Sequence, residues 1–263
     1  MDIGTAKPTE TERKLVPHHC IGMLNPDTYF SAGAYGKMAR DIVDGIFRRR
    51  RLPLVVGGSG LYIQALIDGV FQGNYRDPGI RRTIRERAEK EGWSCLHREL
   101  ETIDPETARQ VHENDHKRIV RALEVYYLCR KPISVVQQAE TVPANFTPVM
   151  AGLSWPRKQL NHRIEQRVDQ MIEQGLVEEV RKILDMGYEK SLNSLDSVGY
   201  KEIIMYLEGT LSLDEAVATI KKNTRRFAKR QMTWFRRDQR IQWFSIENEN
   251  LMDELAPKVL SLV

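Results

Sequence analysis

The stretch that decides the fold is Leu52-Pro53-Leu54-Val55-Val56-Gly57-Gly58-Ser59-Gly60. Its first half is a short unbroken apolar run, which is typical of a buried strand in a parallel sheet. Its second half, Gly57 to Gly60, is called the glycine turn below. Apolar residues at three- and four-residue spacing predict a helix over 33–50 before this stretch, and another helix can begin at Leu61 and run to Leu66. Helix, buried strand, glycine turn and helix in this order indicate an α/β fold.

The glycine turn is a candidate ligand site. Glycine has no Cβ, so the backbone can approach a ligand closely, and the amides that open the next helix can face an anion. Ligands of open α/β sheets also favour the carboxyl ends of strands. Glycines form strand-to-helix turns without any ligand as well, so both interpretations stay open on this feature alone.

The middle of the chain differs from its flanks. Arginine and glutamate dominate there, no β run is present, and the pattern predicts two or three helices, chiefly over 77–92 and 105–128. We therefore expect an α/β core over 1–73 and 148–263 that is interrupted by an all-helical domain over 74–147.

The second part of the core is predicted to begin with a strand over 149–155. The pattern then predicts helices over 160–174, 176–186, 201–207 and 213–236, followed by a strand over 241–244. Ser212 and Glu215 have the form of a capping box at the start of the last helix.

That last helix is strongly basic. Eight Lys or Arg and no acidic residue lie between Lys221 and Arg237. At 100° per residue one face carries Lys222, Arg225, Arg226, Lys229, Thr233 and Arg236, and the opposite face carries Ile220, Phe227, Trp234 and Phe235. A cationic face suits the phosphates of a nucleic acid or a diphosphate. A merely solvated face is the alternative, although such faces usually mix both signs of charge.

Two further basic clusters carry less weight. Arg118 and Arg121 share a helical face, and so do Arg163 and Arg167. Ordinary ion pairs explain them equally well: Glu113, Asp115 or Glu124 can neutralise the first pair, and Glu165 and Asp169 the second.

Other features exclude several classes of protein. No apolar run is long enough to span a bilayer, and the N-terminus lacks the apolar core of a secretory signal, so we expect a cytoplasmic protein. Three distant cysteines without a C-x-x-C pair predict neither a disulfide framework nor a zinc site. No pair of carboxylates stands out, and the sequence therefore nominates no general base.

Six motifs occur together in one order. They are Met1-Asp2-Ile3-Gly4-Thr5-Ala6-Lys7-Pro8, Val16-Pro17-His18-His19, Val56-Gly57-Gly58-Ser59-Gly60-Leu61-Tyr62, Asn114-Asp115 with Lys117 to Val125, Ser197 to Glu202, and Lys229 to Arg236. With these motifs the chain resembles the tRNA dimethylallyltransferase (isopentenyltransferase) family from end to end. The resemblance implies a P-loop NTPase-like α/β core with a parallel sheet and an inserted helical domain that grips the anticodon arm.

The resemblance also implies a reaction. A dimethylallyl group passes from dimethylallyl diphosphate to the exocyclic amine of the adenosine next to the anticodon, and Mg²⁺ assists the diphosphate. The implied partners are the tRNA anticodon stem-loop and dimethylallyl diphosphate, and we expect a monomer with no membrane association. The leaving diphosphate needs cations and backbone amides, and the adenine must leave its stack.

The resemblance also implies site residues, which are carried over position by position. The implied tRNA contacts are Ser59, Arg81, Lys117, Arg118, Ile119, Val120, Arg121, Asp196, Ser197, Val198, Gly199, Tyr200, Lys201, Lys229, Arg230, Gln231, Met232, Thr233, Trp234, Phe235 and Arg236. The catalytic candidates are Ser59, Arg163 and Arg167. The candidates for the diphosphate are Gly57, Gly58, Arg163 and Arg167, the two arginines on charge and placement more than on motif.

The chain departs from the family pattern in two ways. Ser59 stands where the family usually has threonine, and the serine keeps the hydroxyl group. The family's G-x-T-x-S-G-K-T phosphate loop, and an aspartate that acts as general base, normally precede the position of Met1. We therefore expect an N-terminally truncated chain with little catalysis. The alternatives are an inactive tRNA-binding fragment and a small-molecule phosphotransferase.

Overall fold

The computed structural model describes residues 1–71, 73, 75–246 and 251–262. Thirteen helices and two strands lie in these ranges. In chain order they are α1 Glu10–Leu15, α2 Ala32–Arg48, α3 Gly60–Ile67, α4 Pro78–Glu91, α5 Trp93–Ile103, α6 Pro105–Gln110, α7 His116–Cys129, α8 Ile133–Glu140, β1 Met150–Ser154, α9 Arg157–Glu173, α10 Leu176–Asp185, α11 Tyr200–Leu207, α12 Leu213–Phe235, β2 Ile241–Ser245 and α13 Leu251–Leu260. No helix in the described ranges is long and apolar enough to cross a bilayer.

The chain divides into two units. The sheet unit comprises Met1–Phe30, Arg50–Gly60 and Thr147–Val263, and the helical unit comprises Ser31–Arg49 and Leu61–Phe146. These units differ from the predicted ranges, because α2 and most of α3 group with the helical segment, which ends at Phe146.

Close packing explains why α2 joins the helical unit. A Cβ at Gly36 of α2 would lie 2.5 Å from the carbonyl oxygen of Ala65, so only glycine permits this approach of α2 to α3. The guanidinium of Arg40 donates hydrogen bonds of 2.8 Å to the carbonyl oxygens of Leu66 and Val142. These contacts tie α2 to α3 and to the segment that follows α8.

The sheet unit contains a parallel pair of strands. Met150 of β1 lies opposite Ile241 of β2, and the register continues to Ser154 and Ser245. A Cβ at Gly152 would lie 2.7 Å from Ile241 and Trp243, so a glycine is needed where the strands meet. The strands predicted over 149–155 and 241–244 are confirmed, and so is the parallel sheet.

The predicted buried strand over 52–56 is wrong. This segment forms no strand in the structure, and its apolar side chains are exposed: Leu54 by 77% and Val56 by 85%. In the described part of the chain β1 and β2 pair only with each other, and 52–56 pairs with neither of them.

The core of the sheet unit lies among α9, α10, α11 and α12. Leu176, Leu195, Tyr200 and Ile203 are fully buried there. All four predicted helices are confirmed within a few residues. The predicted capping box also forms, since the Ser212 amide donates to Glu215 at 2.8 Å and the Glu215 amide donates to the Ser212 hydroxyl at 3.3 Å.

The core of the helical unit is formed mainly by α4, α5 and α7. Ile84, Leu96, Leu100, Ile119 and Leu123 are fully buried in it. The single helix predicted over 105–128 is two helices, α6 and α7. Asp104 and Asp115 cap their N-termini, and aspartate side chains favour helix starts because they accept the free backbone amides.

Candidate functional site

The glycine turn is bound to the basic helix α12. The side-chain amide of Gln231 donates a hydrogen bond of 2.8 Å to the carbonyl oxygen of Gly58. A Cβ at Gly60 would overlap the indole of Trp234, so this glycine lets the turn lie directly against the helix. The structure thus brings together two motifs that the sequence placed in the same site.

The remainder of the turn is open to solvent. Gly57 and Ser59 are exposed, and a Cβ added at Gly57 would have no neighbour within 4 Å. The backbone at Gly57 and the hydroxyl of Ser59 are therefore accessible to a ligand.

The cationic face of α12 is only partly as predicted. Lys222, Arg226, Lys229 and Arg236 are exposed. Arg225 instead pairs with Glu165 of α9 at 2.5 Å, and the neighbouring Lys221 pairs with Asp169 at 2.6 Å. The exposed cationic face is therefore smaller than predicted and omits Arg225.

The predicted apolar face of α12 is only partly buried. Ile220 is buried in the core of the sheet unit, but Phe227 and Trp234 are both more than two-fifths exposed. The guanidinium of Arg230 lies 5.7 Å from the ring of Phe227. The C-terminal half of the helix therefore presents cations and aromatic rings together.

Arg163 and Arg167 lie on α9 and are exposed. The guanidinium of Arg163 lies 4.5 Å from the ring of Trp155. Glu165 and Asp169, which the sequence offered as their partners, pair with Arg225 and Lys221 of α12. Each of these two carboxylates therefore serves a cation of another helix.

The basic cluster of α7 contains two kinds of residue. Lys117 and Arg118 are exposed, and Arg118 pairs with Asp115 at 3.4 Å. Ile119 and Val120 are buried in the core of the helical unit. Their side chains are not exposed for the predicted tRNA contact, because both face the core.

Arg81 and Arg121 meet at a buried carboxylate. Glu124 accepts from Nε and Nη2 of Arg81 at 2.7 and 2.9 Å, and from Nη1 of Arg121 at 2.8 Å. Burial alone would raise the pKa of Glu124, but the hydrogen bonds from Arg81, the Asp77 amide and Arg121 hold it below its ordinary value. Glu124 is therefore a carboxylate between two cations.

The stretch from Asp196 to Lys201 is likewise mixed. Asp196, Ser197 and Lys201 reach the surface, whereas Gly199 and Tyr200 are buried. The Tyr200 hydroxyl donates to Glu179 at 2.5 Å, and burial together with this bond raises the pKa of Tyr200. The ring of Tyr200 lies in the core and is not exposed for the predicted tRNA contact.

A family model described as IPP transferase matches residues 1–238. The chain belongs to this family. The match includes the glycine turn, the cluster on α7 and the whole of α12.

Relatives agree with the family match. The chain is 49% identical over 262 residues to the tRNA dimethylallyltransferase of Pelotomaculum thermopropionicum, with 98% of this chain and 82% of the relative covered. It is 44% identical over 263 residues to that of Thermotoga maritima, with 100% and 85% covered. This coverage gives no support to the expected N-terminal truncation.

Solved structures agree on the fold. The crystal structure of the tRNA isopentenylpyrophosphate transferase of Bacillus halodurans is 37% identical, with a TM-score of 0.69 over 100% of this chain and 83% of that one. A eukaryotic dimethylallyltransferase acting on tRNA has a TM-score of 0.77 over 98% and 67%, and at 24% identity it supports the fold alone. The expected P-loop NTPase-like α/β fold with helical additions is confirmed.

Sequence reasoning missed Glu179, which binds the first IPP transferase motif. Its carboxylate accepts from the amides of Asp2 at 2.6 Å, Ile3 at 2.9 Å and Gly4 at 3.3 Å, besides the Tyr200 hydroxyl. Burial raises the pKa of Glu179, but the hydrogen bonds from these four donors outweigh burial and hold the pKa below its ordinary value. No local pattern marks Glu179, because its partners are far away in the sequence.

In the described ranges no group of three or more His, Cys, Asp or Glu side chains is arranged to hold a metal ion. Cys20, Cys95 and Cys129 are free thiols.

Proposed function

We propose that this chain transfers a dimethylallyl group from dimethylallyl diphosphate to the exocyclic amine of the adenosine next to the anticodon of tRNA. The bond between C1 of the donor and its diphosphate oxygen breaks, a C–N bond forms, and the amine loses one proton. The observation that carries the proposal is the junction of the glycine turn with α12 through Gln231 and Gly58. The membership of the IPP transferase family and the names of its relatives support the same reaction.

The diphosphate is proposed to bind at the glycine turn. An anion is stabilised best by donors that are already oriented before it arrives. Gln231 and Trp234 hold the turn in place, while Gly57 and the Ser59 hydroxyl remain accessible. Arg163 and Arg167 of α9 are proposed as additional partners for the diphosphate, since both are exposed cations on that helix.

The tRNA arm is proposed to bind the exposed cations of both units. In the sheet unit these are Lys222, Arg226, Lys229, Arg230 and Arg236, and in the helical unit Lys117 and Arg118. Phosphate contacts supply most of the affinity for RNA and fix its position, while unstacked bases favour aromatic rings. Phe227 and Trp234 supply exposed rings on α12.

Mg²⁺ belongs to the proposal through the family resemblance. The described residues form no ligand cluster for it. Mg²⁺ often keeps several waters and binds mainly through substrate phosphates, so an all-protein site is not required. An EDTA titration of the transfer reaction measures the contribution of the metal.

The deciding experiment combines the purified chain, labelled dimethylallyl diphosphate and an anticodon stem-loop RNA. We expect label in the adenosine next to the anticodon after digestion to nucleosides. A stem-loop with guanosine at that position, which lacks the adenine amine, is the matched control. RNA binding without transfer would identify the chain as a binding fragment. Phosphate transfer independent of tRNA would identify a small-molecule phosphotransferase.

Ser59 offers a second test of the same site. We propose that its hydroxyl contacts the reacting groups, and it is exposed, so Ser59→Ala is expected to lower kcat at least tenfold without lowering the melting temperature. Ser59→Thr retains the hydroxyl and is expected to restore the rate. Equal rates for all three proteins would remove Ser59 from the site. A monomeric state and a cytoplasmic location complete the proposal, and light scattering measures the first.

A further inference from the structure

Glu124 occupies an unusual position in the helical unit. Its side chain is fully buried in α7, yet both carboxylate oxygens accept from charged donors. Arg81 binds it through two parallel N–H groups at 2.7 and 2.9 Å, and Arg121 adds a third bond at 2.8 Å. The backbone amide of Asp77, the N-cap of α4, adds a fourth at 2.9 Å.

The two arginines are not themselves buried. The side chains of Arg81 and Arg121 retain 29% and 31% of their exposure. Arg121 also donates to the carbonyl oxygen of Tyr75, and its guanidinium lies 5.2 Å from the ring of Phe71. Two partly exposed cations are thus held by a single buried carboxylate.

Stability alone is a weak explanation for this arrangement. Burying an ion pair costs desolvation that its own attraction barely offsets, and an apolar side chain of similar volume often serves as well. A bidentate carboxylate does fix the plane of a guanidinium. Side chains held in their binding orientation lose less freedom when a ligand binds, and this raises affinity.

We propose that Glu124 is a positioning residue for RNA: it holds Arg81 and Arg121 in one fixed arrangement in which they bind RNA phosphate as a pair. This inference rests on the proposed function, because it takes the ligand of the helical unit to be the tRNA arm. Glu124 itself touches no RNA in this arrangement. Its effect is exerted on the RNA dissociation constant and not on the chemical step.

The same unit offers a matched control. Asp104 is also a buried carboxylate with four donors, but they are the amides and hydroxyls of Thr107 and Ser134. Glu124→Gln and Asp104→Asn each replace one buried charge by an amide in the same fold. Both are expected to lower the melting temperature, and only the first disturbs arginines.

The experiment measures binding of a fluorescent anticodon stem-loop to the full chain at several salt concentrations. We expect Glu124→Gln to weaken binding roughly tenfold. The NH₂ group of the glutamine would face guanidinium N–H groups and cannot accept their hydrogen bonds. Asp104→Asn is expected to stay within about twofold of the wild type. In an Arg81→Gln, Arg121→Gln background, Glu124→Gln is expected to have no further effect on binding, as required if it acts through them.

Arg81→Lys keeps the fold and the charge but loses the planar bidentate contact, so it serves if Glu124→Gln does not fold. It is expected to weaken RNA binding several-fold. Equal affinity of Arg81→Lys and wild type would overturn the proposal. So would a Glu124→Gln affinity that matches Asp104→Asn, or tighter binding, which would mean that Glu124 merely competes with phosphate.

The two proposals fail in different ways. If the wild type binds the stem-loop but transfers no dimethylallyl group, the proposed reaction is wrong, and the affinities alone still decide the role of Glu124. If the wild type does not bind the stem-loop, both are wrong.

Discussion

The side-chain amide of Gln231 binds the carbonyl oxygen of Gly58 at 2.8 Å, although the two residues are 173 positions apart in the chain. Through this bond the long helix α12 determines where the glycine turn lies. Trp234, almost one helical turn further along, packs against Gly60 at the end of the same turn. A substitution on α12 should therefore alter the candidate diphosphate site, and a substitution in the turn should alter the packing against the helix.

Gly60→Ala tests this packing. The added methyl group would overlap the indole of Trp234, so we expect a loss of about 1 to 3 kcal/mol in the free energy of unfolding. Urea denaturation measures it. Gly57→Ala is the matched control, because a Cβ there meets no atom within 4 Å, and its stability is expected to change by less than about 0.5 kcal/mol. Equal stability of the two variants would show that the indole does not restrict Gly60.

The cations of α12 should differ in their effect on RNA binding according to whether they already form ion pairs. Replacing the exposed Lys222, Arg226 and Lys229 by glutamine is expected to reduce the log–log slope of RNA affinity against salt by roughly 0.7 to 0.9 for each phosphate that is no longer bound. Lys221→Gln with Arg225→Gln is the control, since these two cations already pair with Asp169 and Glu165. If replacing the exposed cations leaves the slope unchanged, this face is only solvated.

Tyr200→Phe distinguishes a core residue from an RNA contact. The ring is fully buried and its hydroxyl donates to Glu179, so the variant is expected to lose about 1 to 2 kcal/mol of unfolding free energy with unchanged RNA affinity. Lys201→Gln, at a neighbour that reaches the surface, is expected to weaken RNA binding with unchanged stability. Thermal unfolding and RNA titration measure the two effects. Weaker RNA binding by Tyr200→Phe at full stability would restore the tyrosine as a contact.

Glu179 should make the fold sensitive to acid. Its pKa in the folded chain lies below the ordinary value of 4.5, so its charged form contributes stability that is complete above that value. This contribution is lost as the pH falls from 4.5 through the lowered pKa. Unfolding free energies of the wild type should therefore fall more steeply over this window than those of Glu179→Gln. Glu178→Gln, on the exposed side of α10, should follow the wild type.

Much of the local structure was predictable from the sequence. Periodic apolar residues located α9 to α12, and the serine and glutamate at the start of α12 predicted a capping box that forms as expected. These features depend on residues within a few positions of one another, so the pattern alone contains the necessary information. Asp115 was a comparable signal for the start of α7, and a single long helix was predicted there instead.

The sequence by itself determined the family, the helices α9 to α12 and the concentration of positive charge on α12. Only the tertiary structure decided which of those charges are exposed, because Glu165 and Asp169 neutralise Arg225 and Lys221 from another helix. It also decided that Leu54 and Val56 are exposed, although their hydropathy predicted a buried strand. Ile119 and Tyr200 are buried, although the family motifs placed them among the tRNA contacts. Burial and ion pairing depend on neighbours that are distant in the chain, and for this reason no local pattern contains them.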